Sequence, residues 1–141
     1  MYKTKLAILS FLFAVIYSNS YAQNAEQLLL KINSLQRIAG SSIGKTAEPS
    51  EEYQIFEALE KLSTRDVVEI FQNTDNPIGK VFCYWALKER KYINSSIYRE
   101  YLKNLYFNIK VETQWYGCIT GNEQLARVID YDFRKYWSGK S

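Results

Sequence analysis

The chain contains no histidine, and among its 141 residues there are only two cysteines, two prolines and six glycines. Without an imidazole, the Ser-His and Cys-His nucleophilic pairs are excluded, because each needs that ring to take the proton. The commonest protein ligand of catalytic zinc is missing as well. No oxygen-ligand spacing of the calcium-loop kind is present, so neither a metal nor a cofactor is expected. Low glycine and proline exclude collagen-like or linker character, and a hydrophobic fraction of 47% excludes a disordered chain. What remains is enough apolar material for one domain.

The first residues read as an address. Lys3 and Lys5 form a positive start, Leu6 to Tyr17 is an uncharged run of 12 residues, and Ser20-Tyr21-Ala22 places small residues at cleavage-site positions. A run of 12 is too short to cross a bilayer, which needs about 20 residues. The expectation is a secretory signal over residues 1–22, cleaved after Ala22, and a single domain over 23–141 with no membrane span. Removing 22 residues from 141 leaves 119, and the loss of Lys3 and Lys5 lowers the net charge from +3 to +1. A near-neutral domain is a poor match for nucleic acid or anionic lipid, which reward dense positive charge. The destination is periplasmic or extracellular. In that oxidising setting Cys83 and Cys118 are expected to bridge, closing a separation of 35 residues and stabilising by roughly 3–4 kcal/mol.

The apolar pattern is helical almost throughout. Leu28, Leu29, Ile32, Leu35 and Ile38 repeat at helical spacing up to Gly40. Ser50 precedes a stripe of Ile55, Phe56, Leu59 and Leu62, with Glu57 and Lys61 as an i,i+4 pair. Ser63 caps a third helix, with Asp66 returning the hydrogen bond. Pro77 opens a fourth, Pro77–Arg90, expected to be the central buried element. Ser95 or Ser96 caps a fifth with a stripe of Ile97, Tyr98, Tyr101, Leu102, Leu105 and Tyr106. Residues 109–113 alternate apolar and polar and fit a short extended piece. Asn122 caps a last helix towards Trp137, with Glu123 and Arg127 as another i,i+4 pair. The fold class expected is all-α, a small antiparallel domain of about five to six helices.

The stretch Leu62–Phe71, the turn Asn73-Thr-Asp-Asn-Pro77 and the run Ile78–Leu87, ending Tyr84-Trp85-Ala86-Leu87, resemble a HEAT-like helical repeat. Such units pair two antiparallel helices across a short Asn-Pro turn. The resemblance implies HEAT-like helix pairs, a scaffold of the interaction type, and no active site.

Several motifs carry chemistry on paper. Ala39-Gly-Ser-Ser-Ile-Gly44-Lys45-Thr46 satisfies a relaxed phosphate-loop pattern. The loop needs a strand before it and a helix starting at the Gly-Lys-Thr, and Pro49 interrupts that helix. Asn94-Ser95-Ser96 fits a glycosylation acceptor. Carboxylates are the one catalytic resource left, and glycoside hydrolysis needs two flanking a bond. Glu112, Glu123, Asp130 and Asp132 are the candidates, with Trp115 and Tyr116 near Glu112 to stack on a sugar.

The aromatics near the C-terminus suggest a different function. Trp115, Tyr116, Tyr131, Tyr136 and Trp137 gather with Arg134 in 23 residues. Trp, Tyr and Arg dominate interface hot spots. The leading expectation is an exported, non-enzymatic protein-binding module of the cell envelope, of the inhibitor or immunity type, whose partner is another protein. The alternatives are a carboxylate-based secreted cell-wall glycoside hydrolase and a structural envelope protein without a tight partner.

Overall fold

The computed structural model describes residues 24–41, 48–92, 94–114 and 120–131. A helix runs over residues 24–33 (α1) and is followed by strand β1 (Arg37–Ala39). Four further helices come next: α2 (Glu51–Lys61), α3 (Thr64–Asn73), α4 (Pro77–Glu89) and α5 (Ser95–Leu105). Strands β2 (Lys110–Gln114) and β3 (Thr120–Gln124) and the short helix α6 (Leu125–Val128) follow. The all-α expectation is corrected: the protein is mostly helical but carries a three-stranded sheet of order β1-β2-β3. Among the described residues no helix is long and apolar enough to cross a membrane.

Local chemistry starts the three middle helices where the sequence indicates. Ser50 Oγ accepts from the Tyr53 N–H at 2.9 Å and donates to the Ala39 carbonyl at 3.0 Å, tying the start of α2 to β1. Ser63 Oγ accepts from the Asp66 N–H and donates to its carboxylate at 2.6 Å. Asn76 caps α4 by accepting from the Gly79 N–H at 3.0 Å, with Pro77 in the first turn, where its missing N–H leaves no bond unmade. α5 departs from expectation. It begins at Ser95 behind Asn94, and no side chain caps it.

α1 is shorter than its apolar spacing predicts. Ser34 and Leu35 close tight turns onto the carbonyls of Lys31 and Ile32, and Asn76 Nδ2 donates to the Leu35 carbonyl at 2.8 Å. The chain then extends, and Ile38 reaches the core from β1 rather than from a helix. β1 pairs in parallel with β2, Arg37 opposite Glu112 and Ala39 opposite Gln114, and the Gly40 N–H adds a bond to the Gln114 carbonyl at 2.9 Å. β2 pairs antiparallel with β3 from Lys110↔Gln124 to Gln114↔Thr120. Asn122, read as a helix cap, therefore lies in a strand. The extended piece expected at 109–113 is β2.

The core is organised around α4, in which every residue from Ile78 to Leu87 is buried. Phe82 stacks near Trp85 with centroids 5.8 Å apart and meets the edge of Phe56 at 5.9 Å. Trp85 Nε1 donates to the Ile129 carbonyl at 3.2 Å, joining α4 to the chain after α6. Lys80 is buried too. Its Nζ donates to the Phe71 carbonyl at 2.8 Å and sits 4.9 Å above the centre of the Phe71 ring, a cation–π contact that helps offset the lost hydration of the charge.

Candidate interaction surface

α5 carries two apolar rows, one turned inward and one outward. Tyr98, Leu102 and Tyr106 recur every four residues and face the core, with Leu102 wholly buried. Ile97, Tyr101 and Leu105 recur at the same spacing one position earlier. A step of one residue rotates a side chain by about 100° around the helix, so this second row faces solvent. Ile97 is 66% exposed and Leu105 51%. Phe107, just beyond the helix, is 65% exposed. Tyr101 leans towards Phe71, with ring centroids 6.3 Å apart, while Tyr98 meets Phe71 at 4.5 Å.

A charged clasp borders this face. Asp130 accepts from Arg99 Nε at 2.7 Å and from Lys103 Nζ at 2.8 Å, and Arg99 also pairs with Glu100. Burial raises the Asp130 pKa, but the hydrogen bonds from Lys103 and Arg99 outweigh it and hold the carboxyl below its ordinary value. The clasp fixes α5 to the end of α6, so the outward row is presented by a braced helix.

Of the aromatic cluster predicted for partner binding, Tyr131 is described; Trp115, Tyr116, Arg134, Tyr136 and Trp137 lie outside the described residues. Tyr131 is partly buried against the core, and its hydroxyl donates to Glu123 Oε2. That position suits a residue closing the fold better than an open contact. The spacing joins Ile97, Tyr101 and Leu105 with the inward row in one apolar stripe, and the structure leaves these three exposed. Periodicity shows that a helix has an apolar row, but only its neighbours decide which row they cover.

The carboxylate candidates separate. Glu123 shares a sheet face with Val111, its cross-strand partner, whereas Glu112 faces the other side with Asn122. Glu123 is held by Tyr131 and by Thr113 Oγ1 at 3.1 Å, not by Arg127, because it belongs to a strand. Glu112 and Glu123 therefore cannot flank one bond. Asp130 is committed to the clasp, and Asp132 lies outside the described residues.

Glu112 instead joins a cleft of about 440 Å³ with Arg37, Glu51 and Glu52. Arg37 spans it, donating to Glu52 Oε1 at 2.8 Å and to Gln114 Oε1 at 3.1 Å. The hydrogen bond to Glu52 raises the Arg37 pKa.

Cys83 is free and fully buried in α4. The partner expected for it in a bridge, Cys118, lies outside the described residues. Burial pushes the Cys83 thiol up to about 12, with Lys80 acting weakly against it, so the group behaves as a small core hydrophobe. The strand that a phosphate loop needs is present as β1, but the next helix begins at Glu51, beyond the Gly-Lys-Thr; residues 42–47 lie outside the described residues. Among the described residues no group of three or more acidic or cysteine side chains is placed to hold a metal. In comparisons with known proteins, no family model, no curated protein and no solved structure matches the chain.

Proposed function

We propose that this is an exported protein-binding module of the cell envelope, whose contact face is the outer row of α5. The observation that carries this reading is the exposed series Ile97, Tyr101 and Leu105 on a helix braced by the Asp130 clasp. Exposed apolar groups in a contiguous row mark contact sites on soluble domains, and a rigid helix presents them at low cost in ordering entropy. The α3–α4 pair across Asn76-Pro77 supports a HEAT-like scaffold of the interaction type. The apolar run Leu6–Tyr17 with its flanking lysines supports export.

The test is affinity capture from a native envelope extract, with the protein as the cell processes it as bait. A stoichiometric partner bound by the wild type and lost with Tyr101→Ala/Leu105→Ala supports the reading. A partner that ignores both substitutions places the contact elsewhere, and no partner at all removes the reading.

One observation favours a second function, carboxylate-based hydrolysis of a cell-wall sugar. The cleft that holds Glu112 also holds Glu51 and Glu52, and glycoside hydrolysis uses two carboxyl groups. Loss of cell-wall clearing by Glu112→Gln and by Glu52→Gln, with the fold intact, supports it; absence of clearing by the wild type sinks it.

A further inference from the structure

We propose that the groove between α1 and α2 binds an acidic, aliphatic segment of a protein partner, seating its carboxylates against Lys31 and Lys61. The proposal rests on the protein-binding reading and names a second contact with its chemistry. The groove has a volume of about 340 Å³. α1 lines it with Asn24, Gln27, Leu28 and Lys31, at the i, i+3, i+4, i+7 spacing that places four side chains on one helix face. α2 contributes Ala58, Lys61 and Leu62 at i, i+3, i+4. The floor is apolar, with Leu28 buried and Ala58 and Leu62 partly so. The rim is cationic, with both lysines exposed.

Among the described residues neither lysine has a counter-charge. The ion pairs among the described residues are Arg37–Glu52, Arg99–Glu100, Arg99–Asp130 and Lys103–Asp130. The i,i+4 pair expected between Glu57 and Lys61 is absent from them. Glu57 faces the Tyr53 side chain one turn earlier, whose hydroxyl pKa is raised first by burial and then by that carboxylate. Two like charges thus stand over one apolar groove, which repels cations and rewards an anion that also carries aliphatic surface. The cleft beside Arg37 has the opposite character, with three glutamates against one arginine already engaged, and offers such a partner nothing. Asn24 and Gln27 add neutral amide donors that a carboxylate accepts from.

The direct test titrates the isotope-labelled protein, as the cell processes it, with a short capped peptide of alternating leucine and glutamate. The control peptide has glutamine in place of each glutamate. The expected result is saturable amide shifts at Gln27, Leu28, Ala58 and Leu62 with the glutamate peptide alone. Lys31→Glu/Lys61→Glu should keep the native spectrum and weaken binding by about tenfold or more, since two exposed ion pairs are lost and like charges introduced. Lys31→Gln/Lys61→Gln should weaken it less, and molar salt should mimic that loss by screening. Equal binding of the glutamine peptide, unchanged binding by the charge-reversed variant, shifts confined to other residues, or no saturable shifts would each overturn the proposal. The capture experiment separates its failure from that of the wider reading. A partner held equally by wild type and Lys31→Glu/Lys61→Glu refutes the groove and leaves the module standing; no partner for any bait refutes the module.

Discussion

A Cβ atom added to Gly79 would lie 2.3 Å from Cγ2 of Ile32. α1 and α4 approach each other closely here, which explains why the central helix carries a glycine in its first turn. Thr74 and Asn76 crowd the same position, at 3.2 and 3.5 Å. Gly79→Ala should therefore destabilise by about 1–3 kcal/mol, although alanine is the better helix former. Urea denaturation measures it. In a double-mutant cycle with Ile32→Ala the two losses should not add, because the second substitution opens the space the first one needs.

The two rows of α5 should respond differently to truncation. Leu102→Ala removes a fully buried side chain and should cost about 2–5 kcal/mol. Tyr101→Ala and Leu105→Ala should each stay within about 0.5 kcal/mol of the wild type. If Leu105→Ala unfolds the protein as readily as Leu102→Ala, the outward row is covered and the contact face proposed for α5 falls.

Arg37 should matter more for what it leaves behind than for its own contacts. Its partner Glu52 is largely buried, and Oε2 of that glutamate has no hydrogen-bond partner among the described residues. Arg37→Ala strands the carboxylate and should cost about 1–3 kcal/mol. Arg37→Met/Glu52→Leu, which removes both charges and keeps volume, should cost less than the single change. Thermal denaturation of the two variants decides the order.

The Asp130 clasp should give stability a dependence on acid. Its carboxyl titrates below the ordinary 3.8 in the folded protein. A group with a depressed folded pKa stabilises above its unfolded pKa and loses that contribution as the pH falls through the folded value. The gap between wild type and Asp130→Asn should thus be full near neutrality and close below about pH 4. Because the pairs are partly exposed, the full gap should be only about 1 kcal/mol. Denaturation midpoints at pH 7 and pH 3, at low salt, measure it; a gap that widens in acid would contradict the clasp.

Much of the helical layout was legible because its signals are local. Ser50 and Ser63 mark helix starts within three residues of the bonds they make, Pro77 marks one by lacking an N–H, and the apolar run Val81–Leu87 points to the centre of the core. The sheet was not legible. β1 has three residues, and its partner Glu112 lies 75 positions after Arg37, so nothing near Ile38 in sequence distinguishes a short strand from the end of a helix. Asn122 misled for the same reason, since its role is set by Glu112 across the ladder. The outward face of α5 was not legible because its two rows are equally apolar and read as one stripe. The α1–α2 groove was hidden by the Glu57–Lys61 spacing, which suggests an ion pair that is not among those of the described residues. Of the aromatic hot-spot candidates, only Tyr131 is placed, and it is engaged with Glu123.

The parallel pairing of β1 with β2 also constrains the order in which the chain can fold. Helices α2 to α5 lie between the two strands, so the ladder cannot close until the chain that follows all four is available. Contacts within and between successive helices form quickly, whereas a pairing across so long an interval must first overcome the entropy of closing it. For a chain that emerges progressively, from a ribosome or through a membrane, the helical segment gathers first, with β1 still unpaired. The sheet is thus a latch engaged only after the helices between its strands, and losing either strand leaves the other with an unpaired edge.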